Sequence, residues 1–88
     1  MELKDTVSLM TSADYKDRFK GEYFQLKIRY NKLKKFNTQI EAAELMGKEP
    51  PKHDCPLHLL RDQQRQMGEL LHTLELRAII EGVDLEKL

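Results

Sequence analysis

A single cysteine, Cys55, stands among the 88 residues, so no disulfide can form within the chain, and that usage suits a reducing cytosol. Net charge is also missing: fifteen basic side chains balance fifteen acidic ones, which argues against a general nucleic-acid coat. No apolar run approaches the ~18 to 20 residues of a membrane span, so no membrane partner is expected. The first ten residues, MELKDTVSLM, have neither a basic start nor a long apolar stretch, and no secretory signal is expected there. Gly-rich phosphate loops, nucleophile elbows and HExxH-type patterns do not occur. His53, Cys55 and His58 lie close together, but a fourth ligand at suitable spacing is missing and Pro56 intervenes, so neither a metal nor another cofactor is expected. Glu41 and Glu44 share a helix face near its end, where such pairs are usually solvated. No catalytic residues are assigned, and the chain is not expected to be an enzyme.

What the chain does have is helix. From Asp14 to Ile40 the spacing is helical, and steps of four and three from Tyr15 give Tyr15, Phe19, Glu22, Leu26, Arg29, Leu33, Phe36 and Ile40. Tyr23 and Tyr30 widen that stripe on one side. Thr11-Ser12-Ala13-Asp14 supplies capping chemistry for the start, and Gly47 followed by Pro50-Pro51 supplies the stop. Such a helix would be about 50 Å long at ~1.5 Å per residue. Gly21 lies inside it, where a close neighbour, either protein or ligand, would explain the missing side chain. A second stripe, Leu60, Gln64, Met67, Leu71, Leu74 and Ala78, follows an Asp54 N-cap and ends at Gly82, with Val83 and Leu85 as an apolar clasp. Leu3, Val7 and Met10 suit a short helical arm.

The expected fold is all-α: one antiparallel two-helix hairpin, with an arm over 1–11, a first helix over 12–46, a loop over 47–54, a second helix over 55–82 and a tail over 83–88. Taking Ile40 against Leu60 as the first layer puts Leu33 near Met67, Leu26 near Leu74, and Glu22 opposite Arg77. Glu22 and Arg77 are therefore expected to form a structural ion pair. Arg29 would face inward without an acid and so call for an anion. A lone hairpin of this size would leave Phe24, Ile28, Leu70 and Ile79 uncovered, so a homo-oligomer is expected.

Charge is uneven along the chain. Between Asp14 and Phe36 there are eight Lys/Arg against three acids, and Lys20, Lys27 and Lys34 recur every seven residues beside Tyr23 and Tyr30. Cations interleaved with rings suit a phosphate and a base together. Arg18, Lys20, Tyr23, Lys27, Arg29 and Tyr30 are thus the expected ligand-binding residues. A solvated basic face and a tyrosine stripe buried in a core account for the same pattern without a ligand.

SADYKDRFKGEYFQLKIRYNKL, then CPLHLLRDQQRQMGELLHTLELRAIIEGVDL, resembles a family of small helical proteins of crAss-like and other gut bacteriophages and of clostridial prophages. The shared features are Tyr15, Arg18, Glu22, Leu26, Leu33, Leu59, Leu60, Gln63, Met67, Leu74 and Arg77. In outline the chain is also similar to the helical-hairpin domain of phage proteins that sequester cyclic nucleotides or cyclic ADP-ribose products and so blunt CBASS and Thoeris immunity. The resemblance implies an oligomeric counter-defence protein in the host cytoplasm, holding a small anionic nucleotide signal between subunits. Two rivals stand beside it: a protein inhibitor or adaptor covering a host defence effector, in the manner of anti-CRISPR proteins, and a structural or regulatory phage component whose basic helix touches nucleic acid.

Overall fold

The computed structural model describes residues 1–86; Lys87 and Leu88, the end of the expected tail, lie outside the described residues. A 3₁₀ turn, Leu3–Thr6, runs into a one-turn helix α1, Val7–Met10; two long helices follow, α2, Tyr15–Leu45, and α3, Leu57–Glu81. Among the described residues there is no strand. The fold is all-α, with the arm and both long helices packed together and a longest dimension of 49 Å; α2 lies inside the expected 12–46.

Local chemistry sets the ends. Asp14 is the N-cap of α2 and accepts from the Lys16 N–H at 3.0 Å, while Ser12 Oγ receives the Asp14 N–H and donates to Asp17. At the other end Gly47 takes a left-handed φ of 67° and the Lys48 N–H reaches back to the Ala43 carbonyl at 2.9 Å, closing the last turn. Gly82, at φ 71°, does the same for α3, with the Val83 N–H on the Ala78 carbonyl at 2.8 Å and Val83 buried beneath. The start of α3 differs from expectation. Its N-cap is Pro56 rather than Asp54, with no side-chain cap: Pro56, at φ −59° and ψ 145°, lies outside the helical region, its ring disfavours a helical Cys55 before it, and the helix begins at Leu57.

Cross-helix contacts fix an antiparallel register within a few residues of the expected one: Glu41 with Arg61, Asn37 with Gln64, Tyr23 with Glu75, and Tyr15 with Glu81. The face that α3 turns inward is the expected one, with Leu71, Leu74 and Ala78 buried and Leu60, Gln64 and Met67 half-buried. On α2 the phase differs. The inward set is Phe19, Tyr23, Leu26, Tyr30, Leu33, Asn37 and Ile40, so Tyr23, Tyr30 and Asn37 replace Glu22, Arg29 and Phe36. Both sets satisfy the three-and-four spacing. Desolvation decides between them, because a tyrosine or an amide can be hydrogen-bonded across a seam more cheaply than an unpaired charge can be buried. Glu22 and Arg29 are exposed, so Arg29 is not the inward cation that its spacing led one to expect.

Gly21 meets the protein itself. A Cβ there would lie 2.7 Å from Met10 Cγ, 2.9 Å from the Met10 backbone nitrogen and 3.1 Å from Leu9 Cβ, so the arm sits directly on the α2 backbone. Thr6 anchors the arm, buried, with its hydroxyl donating to the Leu3 carbonyl at 2.7 Å.

Candidate functional site: two clefts on the helix seam

The expected binding residues do not gather at one place. Arg18 lies at the start of α2, its guanidinium donating to the Ser12 carbonyl at 2.8 Å. Lys20 is half-buried and Arg29 exposed, and neither forms an ion pair among the described residues. Tyr23 and Lys27 do meet, with the ammonium 3.5 Å from the phenol oxygen and 5.6 Å from the ring centre. Tyr30 sits in a separate cleft about two turns further along α2.

The Glu22–Arg77 pair is not formed. Glu22 is exposed and close enough for its charge to be felt at Arg77, but the two do not come within ion-pair distance. Arg77 instead grips Glu81 one turn on, at 2.7 Å and 3.3 Å, and lies 4.9 Å from the centre of the Phe19 ring. The Tyr15 hydroxyl donates to the same carboxylate. Arg77, first, and Tyr15 hold the Glu81 carboxyl below its ordinary range, while the bond to Glu81 raises both the Arg77 guanidinium and the Tyr15 phenol.

One cleft, of about 410 Å³, lies against Tyr23, Lys27 and the turn after α3. Tyr23 is only 4% exposed and its hydroxyl donates to Glu75 at 2.6 Å. Burial and that bond push the phenol up to about 12. Among the described residues Glu75, Asp84 and Glu86 line this cleft against one cation, Lys27. The described lining is acidic on balance, and its tyrosine ring is already packed in the core.

The other cleft, of about 340 Å³, has the opposite character. Tyr30, Lys34 and Asn37 reach it from α2, and Arg61, Gln64 and Arg65 from α3. Three cations thus face one carboxylate of the lining, Glu41. Glu41 holds Arg61 at 2.8 Å and Glu69 holds Arg65 at 3.0 Å, both in half-exposed pairs, while Lys34 forms no ion pair among the described residues. Gly68 lets the Tyr30 ring lie against α3: a Cβ there would come within 3.2 Å of Tyr30 Cε1. Asn37, only 3% exposed, donates from Nδ2 to Gln64 Oε1 at 3.0 Å and to the Leu60 carbonyl at 3.2 Å. Its Oδ1 is buried with no donor.

Of this second group only Tyr30 was expected as a ligand contact. Lys34 carried a signal, as the third member of the seven-residue lysine series. Arg61 and Arg65 carried the four-residue spacing of a helix face, but nothing in the local sequence tied that face to Lys34.

The His53–Cys55–His58 stretch forms a loop lock. The His53 Nδ1–H donates to the Cys55 carbonyl at 2.6 Å, and the ring stands edge-on to Phe36. No helix is long and apolar enough to cross a membrane among the described residues.

Fold and clefts together define a small all-α hairpin protein with a basic, polar cleft built into its interhelical seam. The chain belongs to the Sequestin family, whose model matches residues 13–80, which take in α2, all of α3 but its last residue, and every residue that lines the basic cleft. That membership is consistent with a sequestering protein. Neither a curated protein nor a solved structure matches the chain.

Proposed function

We propose that the protein is a non-enzymatic phage counter-defence factor that sequesters a small anionic, cyclic-type nucleotide signal in the host cytoplasm. The observation that carries this reading is the basic cleft: Lys34, Arg61 and Arg65 converge beside a half-buried tyrosine in a chain with no net charge. Family membership supports the sequestering part, and the resemblance to phage helical-hairpin proteins supports the counter-defence part. Phosphate has a free ammonium to meet at Lys34, and it competes for two guanidiniums whose present partners are solvent-screened carboxylates. The Tyr30 ring offers a stacking surface worth roughly 1 to 3 kcal/mol per base.

Calorimetry against cyclic dinucleotides, cyclic trinucleotides and cyclic ADP-ribose products tests this. At least one should bind below about 10 µM, roughly −7 kcal/mol. Arg61→Ala and Lys34→Ala should each weaken it about ten- to a hundredfold, the worth of a charge-assisted hydrogen bond. If Lys27→Ala weakens binding and Arg61→Ala does not, the site is at Tyr23, as the sequence alone led one to expect.

A second reading rests on a separate surface. Ile79 and Ile80 are 81% and 82% exposed, and Leu76 half-exposed, near the C-terminal end of α3, with Ile79 also lining the Tyr23 cleft. That face supports self-association, and it equally supports a protein inhibitor covering a host effector.

A further inference from the structure

Of the ion pairs among the described residues, one joins the two long helices: Glu41 of α2 holds Arg61 of α3 at 2.8 Å, and both residues line the basic cleft. The lining forms two facing rows. Lys34, Thr38 and Glu41 follow one another at steps of four and three on α2, and Arg61, Arg65 and Gly68 do the same on α3, so the antiparallel register puts the Glu41–Arg61 pair at the end of the cleft nearest the interhelical loop. Both side chains stay open to water, at 49% for Arg61 and 54% for Glu41. A pair so exposed adds little to stability, and the neighbouring Ile40, fully buried, already anchors α2 at that level. What the carboxylate does is occupy a guanidinium that a bound phosphate would take.

Resting on the reading of this cleft as an anion site, we propose that Glu41 is its internal competitor: the carboxylate stands in for a ligand phosphate at Arg61 while the cleft is empty, and an arriving anion displaces it. A carboxylate and a phosphate cannot share the guanidinium without repelling each other, and the pair given up is one that water already screens. Displacement also grades ligands by charge. With Glu41 on Arg61 and Glu69 on Arg65, Lys34 is the cation of the lining that forms no ion pair among the described residues. An anion with one charge is met by that ammonium, whereas a ligand with two or more can hold Lys34 and take Arg61 as well. Glu41 is thus a specificity-determining residue that keeps the cleft from filling with small monoanions.

The probes are inorganic pyrophosphate and dimethyl phosphate, a monoanion, titrated by calorimetry into the full chain at fixed ionic strength. Wild type should bind pyrophosphate about tenfold more tightly than dimethyl phosphate, the scale of one further charge-assisted hydrogen bond. Glu41→Gln should bind pyrophosphate about fivefold more tightly than wild type, the scale of a solvent-screened ion pair. Glu22→Gln removes the same charge from the same helix about five turns away and should bind as wild type does. Both glutamates are exposed, so neither change threatens the fold. Pyrophosphate binding by Glu41→Gln that equals or falls below that of wild type overturns the competitor role and leaves the anion site intact. An equal gain in both variants does the same, since net charge alone would then explain it. Equal binding of the two probes by wild type overturns the grading by charge. No binding of pyrophosphate by wild type or either variant overturns the anion site and this inference with it.

Discussion

Tyr23 shows how a residue that reads as a ligand contact is claimed by the core. Its ring packs against Phe24 at 5.3 Å between centres, and its hydroxyl is spent on Glu75. Removing that hydroxyl in Tyr23→Phe should cost about 1 to 2 kcal/mol at neutral pH, below the full worth of a charged hydrogen bond because Glu75 is exposed. The pH dependence has a definite sign. The folded phenol titrates higher than the unfolded one, so its contribution is complete below about pH 10 and is lost as pH rises through about 12. Urea unfolding of wild type and Tyr23→Phe at pH 8 and pH 11 should show their difference shrinking at the higher pH; a constant difference contradicts the assignment. Gly21 is the other telling residue. Gly21→Ala gains about 1 kcal/mol of helix propensity but drives a Cβ onto the Met10 backbone, so the net change should be a loss of about 1 to 2 kcal/mol. Faster protease cleavage near Met10 should accompany it, and a variant as stable as wild type would mean that the arm is not seated on α2.

At the scale of elements, the stops were legible and one phase was not. Gly47, Gly82 and the Asp14 cap act through local backbone chemistry that a short window contains. The α3 stripe was legible too, because its apolar positions leave one choice of face. On α2 the positions 22/23, 29/30 and 36/37 each offered two candidates at permitted spacing, and the apolar ring of Phe36 favoured the wrong one. Charge outweighs spacing there: Glu22 and Arg29 are poor seam residues, whereas the Tyr23 hydroxyl and the Asn37 amide nitrogen find acceptors on α3. The basic cleft was the least legible part, since it joins side chains of α2 and α3 that only the folded register brings together. The open end of the hairpin gives a test at this scale. Tyr15 and Arg77 converge on Glu81, while the Lys16 ammonium lies 3.5 Å from the Gly82 carbonyl at the negative end of α3. Because the folded Glu81 carboxyl titrates lower than the unfolded one, its contribution is present above the ordinary carboxylate range and is lost as pH falls through the depressed value. The stability difference between wild type and Glu81→Gln should therefore be largest near neutral pH and vanish in strong acid. A difference that persists unchanged at the acid end would rule the carboxylate out as its source.

For the whole molecule, two long helices and a short arm leave little interior: the largest fully buried side chains are Ile40 and Thr6. Exposed Leu76, Ile79 and Ile80 add to the case for a partner, and light scattering at micromolar concentration should return a multiple of the 10.4 kDa chain mass. A monomer with a cooperative thermal transition would show that the hairpin stands alone. The central claim is that the protein holds its ligand without changing it. The most direct measurement is to mix the protein with the nucleotide products of activated defence cyclases and TIR enzymes, remove the protein-bound fraction, and assay what is left before and after heat denaturation. The account predicts that one product disappears from the free pool on mixing and returns chemically intact on heating, and that Arg61→Ala leaves it in solution. Products that stay free throughout, or that return cleaved, would contradict it.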